Sequence, residues 1–215
     1  MLVKERMSKH PILIGPDVSI SEALNLMKKE KVRRLPVVDP QGHLVGIVSD
    51  KDLLHASPSP ATSLSVWEIT YLLGKIKVDD VMTKKVITVT EDTPVEDAAR
   101  IMADNKIGGL PVLGRDGGVI GIITETDLFK LFLELLGARE KGVRATMLVA
   151  NKIGELAKIT QAIASQGGNI MALVEYLGTD STNREVMMKV VGLPKDKLVG
   201  IVKPLVLEVG DVRES

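Results

Sequence analysis

One block of this sequence is written twice. Laid over itself, the chain matches without a gap from Met7/Met82 to Leu53/Leu128. Identical pairs include Asp17/Asp92, Ala23/Ala98, Met27/Met102, Lys31/Lys106, Leu35/Leu110, Pro36/Pro111, Gly42/Gly117, Gly46/Gly121 and Asp52/Asp127. Such a match constrains the fold more than any composition does: whatever unit the first copy forms, the second forms too.

Each copy reads locally as β-α-β-β-α. Residues 12–14 and 86–89 are short apolar strands. Helices then start near Ser19, a candidate N-cap with Glu22 three residues on, and at Pro94, which suits a first turn. Ile20, Ala23, Leu24 and Met27 repeat at helical spacing, as do Val95, Ala98, Ala99 and Met102, giving each helix one buried stripe. Residues 35–38 with 44–48, and 110–113 with 119–123, are hairpins around Pro/Gly/Asp turns. A closing helix begins at Ser49 or Thr124. Between the copies, 58–77 opens as a Pro/Ser loop. Residues 64–73 are then expected as a short helix with Val66, Trp67, Ile69, Tyr71 and Leu72 apolar, either capping the core or offering a contact surface.

Chemistry concentrates where the second hairpin strand meets that closing helix. Both Gly46-Ile47-Val48-Ser49-Asp50-Lys51-Asp52 and Gly121-Ile122-Ile123-Thr124-Glu125-Thr126-Asp127 end an apolar strand in a hydroxyl, with Asp three positions later. The spacing sets hydroxyl and carboxylate in the first helical turn, where N–H groups and the helix dipole suit a phosphate. The carboxylate can accept two hydrogen bonds from a vicinal diol such as ribose. The same spacing is also a capping box, which closes a helix end with no ligand. Its recurrence in both copies favours a ligand.

These features, with Leu35-Pro36-Val37-Val38-Asp39 and Leu110-Pro111-Val112, resemble paired CBS domains. The resemblance implies a nucleotide-binding module in which Ser49 and Thr124 contact phosphate while Asp52 and Asp127 hold ribose hydroxyls. It implies that adenine packs on Pro11-Ile12 and Val86-Ile87, and that Arg33-Arg34 and Gly108-Gly109 line the cleft. Two guanidiniums neutralise a phosphate chain and two glycines cannot. Unequal sites are therefore expected, with Arg33 or Arg34 near the phosphates and the glycines admitting adenine or ribose. A solvated arginine pair is the alternative. The implied ligand is AMP, ATP, another adenine nucleotide or S-adenosylmethionine, acting as a regulator and not as a catalytic cofactor.

After Leu136-Gly137 the pattern changes to β-α-β-β-α-β, a ferredoxin-like split unit. Strands are expected at 144–150, 170–177, 185–191 and 205–209, and helices at 154–164 and 194–202. Residues 151–159, followed by Gly168-Asn169-Ile170, resemble the ACT domain, in which Gly154 and Asn169 are the positions that carry over to an amino-acid site. Asn151 and Ile153 depart from the Asp and Pro common in that family. Gly154 and Asn169 can equally permit a turn and cap a helix, leaving dimerisation as the role. The expected architecture is α+β: CBS unit 1 at 1–57, a connecting segment at 58–77, CBS unit 2 at 78–137 and an ACT-like domain at 143–212. Two CBS units followed by ACT resemble the acetoin utilisation (AcuB-like) protein family.

Composition trims the alternatives. Lys+Arg and Asp+Glu number 28 each and aromatics are 2%, so neither an electrostatic footprint for nucleic acid or membrane nor a base-stacking platform is present. Cysteine is absent, which excludes disulfides and thiol catalysis and fits a reducing cytoplasm. No apolar run is long enough to span a bilayer. His10, His43 and His55 lack zinc-ligand spacing, and no phosphate loop or nucleophile elbow occurs, so neither a metal site nor an enzyme is expected. The expectation is a cytoplasmic, homodimeric sensor acting on an unidentified partner protein, in which ligand binding shifts a conformational population. A scaffold without nucleotide, or an amino-acid sensor working through the third domain, are the rival readings.

Overall fold

The structure is a computed structural model that describes residues 1–56, 65, 68, 71 and 74–214. It divides into two compact units, Met1–Leu128 and Phe129–Ser215. Of the helix expected at 64–73, all but residues 65, 68 and 71 lie outside the described residues, Val66, Trp67, Ile69 and Leu72 among them.

In the first unit, β1 (Ser8–Lys9) precedes α1 (Ile20–Glu30), the hairpin β2 (Arg34–Val38) and β3 (Leu44–Ser49), and α2 (Asp50–His55). The second copy runs α3 (Val78–Val81), β4 (Val89–Thr90), α4 (Val95–Asn105), β5 (Gly109–Leu113), β6 (Val119–Thr124) and α5 (Glu125–Leu135). The buried stripes form as expected: Ile20, Ala23 and Met27 on α1 match Val95, Ala98 and Met102 on α4. Both helices end on a left-handed lysine, Lys31 and Lys106. Ser19 caps α1 through a capping box with Glu22, whereas Pro94 occupies the N-cap of α4, one position before the expected first turn, with no side-chain cap. Both hairpins carry a bulge at the same repeat position, between Val37/Val38 and Val112/Leu113.

The strands expected at 12–14 and 86–89 are shorter in the structure. Pairing is confined to Ile14, bridged to Val37, and to β4, paired in parallel with β5. Pro16 follows two residues after Ile14 and has no N–H to extend a ladder.

Each copy also lends its leading arm to the other. Arm 1–9 lies on the second copy: Val3 N–H donates to Thr93 O, Val95 N–H donates to Met1 O, and Ser8 pairs with Ile122. Arm 76–84 repeats this on the first copy: Val78 N–H donates to Val18 O, Ile20 N–H donates to Ile76 O, and Thr83 exchanges both backbone bonds with Ile47, at 2.9 and 3.0 Å. Val3 and Val78 are fully buried anchors, and Val78 belongs to the core cluster built around Ile20, Leu35, Val48 and Leu53. The Met7 thioether sits on Gly121 and the Met82 thioether on Gly46, where a Cβ would collide with each. Both glycines are thus fixed by close approach of the partner copy's methionine.

The second unit is an antiparallel sheet of β7 (Val143–Ala150), β8 (Asn169–Leu177), β9 (Asn183–Val191) and β10 (Glu208–Glu214), in the order β10-β7-β9-β8. Helices α6 (Glu155–Ser165) and α7 (Lys195–Val202) bury Ile159, Ile163, Leu198 and Val202 against alternate residues of β7 and β9, among them Ala145, Met147, Val186 and Met188. The β-α-β-β-α-β order is the expected one. Its last strand starts at Glu208, not at 205, because Lys203-Pro204-Leu205 continues from α7 as a short 3₁₀ turn. Lys189 is buried, and its ammonium donates to the Gly137 carbonyl at 2.9 Å, giving that charge a partner.

Two outcomes follow. Gly46→Ala is expected to lower stability by about 1–3 kcal/mol through overpacking on Met82. Urea unfolding of Gly46→Ala, Met82→Ala and the double variant should show non-additive losses. Ser19→Ala should cost about 1 kcal/mol near neutrality through loss of the α1 cap. The Ser19 hydroxyl and amide hold the Glu22 carboxyl below its ordinary range. That contribution is therefore complete above the ordinary carboxylate pKa and disappears as pH falls through the lowered value. The gap between wild type and Ser19→Ala, followed by denaturation against pH, should narrow in acid.

Candidate functional site

A cleft of about 350 Å³ opens in the first unit where the two copies meet. The Ile47–Thr83 bridge creates it, by drawing the chain after Thr83 alongside the end of β3. Ser49, Lys51 and Asp52 of the first copy line it together with Lys85, Val86, Ile87, Lys106, Gly108, Gly109 and Glu125 of the second, and Arg34 of the first copy reaches across to Gly108 and Glu125. Of the residues singled out in the sequence, the cleft gathers Ser49, Asp52, Arg34, Val86, Ile87, Gly108 and Gly109. Arg33, Pro11, Ile12, Thr124 and Asp127 do not line it. Each is the repeat counterpart of a residue that does, Arg33 matching Gly108.

The arginine and glycine pairs do not stand apart on two separate sides. Arg34 and Gly109 occupy the same repeat position, yet both line this one cleft. The Arg34 side chain passes Gly109, its Cδ 3.2 Å from where a Cβ would be, and its guanidinium lies where the Cβ of Gly108 would stand. Its Nη2 is 4.0 Å from Glu125 Oε2. The glycines give their space to the arginine.

Asp52 and Asp127 both form the capping box that the spacing allows. Asp52 Oδ2 accepts from Ser49 N at 2.8 Å and Ser49 Oγ at 2.7 Å. Asp127 Oδ2 accepts from Thr124 N at 2.9 Å and Thr124 Oγ1 at 2.8 Å. The cap engages one oxygen of each carboxylate. No hydrogen bond among the described residues uses Oδ1, which leaves an acceptor at Asp52 on the cleft wall. Capping and ligand binding are thus compatible at this residue.

The first-turn amides of α2 are not open to a phosphate. Ser49 N–H bonds Asp52, Asp50 N–H bonds Arg33 O, Lys51 N–H bonds Asp50 Oδ1, and Asp52 N–H bonds Ser49 Oγ. Positive charge in the cleft comes instead from Arg34, Lys51, Lys85 and Lys106, opposed by Asp52 and Glu125. The sequence reading missed Lys51, Thr83, Lys85, Lys106 and Glu125. Lys106 carried a signal, being identical to Lys31 and placed just before the glycine pair; Lys51 and Lys85 carried none, since Thr126 and His10 hold the matching positions.

In the second unit, Gly154 takes the left-handed φ of 88° at the start of α6. It lines a pocket of about 220 Å³ with Asn151, Lys152, Glu155, Glu175 and Arg184. Asn169 is not part of it: Ala150 pairs with Asn183 while Asn169 pairs with Val191, at the opposite end of the sheet. Arg184 Nε is buried with no hydrogen-bond partner among the described residues, 3.5 Å from Glu175 Oε1. Among the described residues no group of three His, Cys, Asp or Glu could hold a metal ion, and no helix is long and apolar enough to cross a membrane.

The sequence model for the CBS domain matches residues 3–59 and 78–134. The CBS domain pair of protein MJ0100, solved with 5′-methylthioadenosine and S-adenosyl-L-methionine, is 34% identical over 65% of this chain and 98% of its own, with a TM-score of 0.53. CBSX2, solved with AMP, is 36% identical over 62% of this chain and 97% of its own, with a TM-score of 0.52. A Vibrio cholerae protein described as an acetoin utilization protein (AcuB) is 31% identical over 65% of this chain and 96% of its own, also at 0.52. Repeat, crossed arms and family match agree: the chain belongs to the CBS domain family and carries a tandem pair of these domains.

Proposed function

We propose that the first unit is a regulatory sensor that binds an adenosyl ligand in the cleft between the copies. The observation that carries this reading is Asp52 Oδ1, which makes no hydrogen bond among the described residues, on a residue lining an open, cation-rich cleft with an apolar lip at Val86-Ile87. A carboxylate oxygen accepts hydrogen bonds from ribose hydroxyls, and Ile87 is exposed enough to receive a purine face. Similar CBS pairs were solved with AMP, 5′-methylthioadenosine and S-adenosyl-L-methionine, which share adenine and ribose. The role is regulatory, with no catalytic cofactor. Thr124 and Asp127, with Pro11, Ile12 and Arg33, furnish the matching groups of a second, unequal site.

In this reading α5, which runs from Thr124–Asp127 into the second unit, relays occupancy to an ACT-like domain. The ligand acts by favouring one arrangement of a two-state molecule. The protein works on a partner protein as a homodimer, as the resemblance implies, and in the cytoplasm, which the absence of cysteine fits; the acetoin connection rests on domain order and on the likeness to the AcuB protein. A second reading, amino-acid sensing by the second unit, draws support from the Gly154 pocket, where Lys152 and Arg184, whose buried Nε makes no hydrogen bond among the described residues and is ion-paired with Glu175 at 3.5 Å, suit a carboxylate.

Calorimetric titration with AMP, ATP, S-adenosylmethionine and 5′-methylthioadenosine tests the sensor. Saturation at about 100 times Kd should add about 2.7 kcal/mol of stability. Asp52→Asn keeps an oxygen for the cap but presents an amide to the ribose. It should leave stability within about 0.5 kcal/mol and weaken binding roughly tenfold. Failure of all four compounds to bind overturns the reading.

A further inference from the structure

The charged groups of the cleft are unevenly partnered. Asp52 is engaged by its cap. Glu125, on the second copy, has only Arg34 within reach among the described residues, at 4.0 Å, longer than a hydrogen bond. The Arg34 side chain is about a quarter exposed and that of Glu125 more than half. A guanidinium presents several N–H donors in a rigid fork that fits carboxylate or phosphate. Here that fork is drawn out of water against a single distant carboxylate.

The geometry is particular to this cleft. The guanidinium occupies the space of the missing Gly108 Cβ, and a Cβ there would also stand 2.6 Å from Glu125 Oε2. The repeat counterpart of Gly108 is Arg33, which provides no such space, and the counterpart of Glu125 is Asp50, whose carboxylate accepts from Lys51 N. Lys51, Lys85 and Lys106 stand on the same cleft. An anion entering beside Arg34 would meet donors on more than one side.

Resting on the adenosyl reading of this cleft, we propose that Arg34 and Glu125 form an exchangeable tie between the copies. The phosphate of an adenosine phosphate takes the place of Glu125 on Arg34. The exchange selects phosphorylated adenosyl ligands over neutral thioether nucleosides and sulfonium compounds. It also breaks a contact between the first copy and the second, so occupancy changes how they are held together. Gly108 is the seat that allows the tie, and Glu125 acts only through Arg34.

The test titrates AMP and 5′-methylthioadenosine, which share the nucleoside but differ in the phosphate, into wild type, Arg34→Gln, Glu125→Gln and the double variant, with thermal melts confirming that each is folded. Wild type should bind AMP at least about tenfold more tightly. Arg34→Gln should remove most of that preference and leave 5′-methylthioadenosine within about twofold. Glu125→Gln should tighten AMP by about threefold in wild type and have no effect once Arg34 is replaced. Equal tightening in both backgrounds overturns the tie, because Glu125 would then act by direct repulsion. Equal wild-type affinity for both compounds overturns the selectivity while the adenosyl site stands. If neither compound binds wild type, the adenosyl reading falls and the tie with it.

Discussion

The reciprocal crossing of the two leading arms sets the geometry of the first unit. Residues 1–9 complete the second copy and residues 76–84 complete the first, through matched backbone bonds and a methionine laid on a glycine at each crossing. The thioether is flexible enough to follow the glycine surface, and the absent Cβ lets it come close. Each copy's core is therefore finished by a segment far away in sequence. The cleft lies beside that crossing: Thr83 is bridged to Ile47, and Lys85, Val86 and Ile87 after it line the same cleft as Ser49 and Asp52.

Duplication makes the scaffold symmetric, and a few side chains make the site unequal. Arg33-Arg34 against Gly108-Gly109, Lys85 against His10, and Lys51 against Thr126 are differences at matched positions. They collect positive charge on the cleft that faces Asp52 and let one arginine cross from the first copy into space kept free in the second. Charge in a half-enclosed cleft interacts more strongly than the same charge on an open face. A neutral chain overall is thus compatible with a locally cationic site.

Much of this was legible in the residues. The repeat, the helical stripes, both hairpins, the Ser19 cap and the element order of the second unit follow from local periodicity and turn chemistry. The arm crossing did not show, because it rests on bridges of one or two residues that leave no periodic trace. Lys51 and Lys85 read as solvated lysines until the fold turned them toward a common space. The Ser-x-x-Asp spacing posed a choice between cap and ligand that a carboxylate with two oxygens does not face. Gly154 and Asn169 looked like one site because both flank α6, but a helix of eleven residues carries its two termini to opposite ends of the strands. Pro204 delayed the last strand by continuing the preceding helix as a tighter turn.

The crossed arms also bear on ancestry. A half-length forerunner carrying one copy would have had an arm and a docking groove that were made for a different molecule, so it would have reached its folded form as an interlocked couple exchanging identical segments. Joining two such copies end to end makes that encounter an intrachain one and removes its dependence on concentration. Only afterwards could the halves drift apart chemically, since a couple made of one gene product must carry the same residue on both sides of its groove.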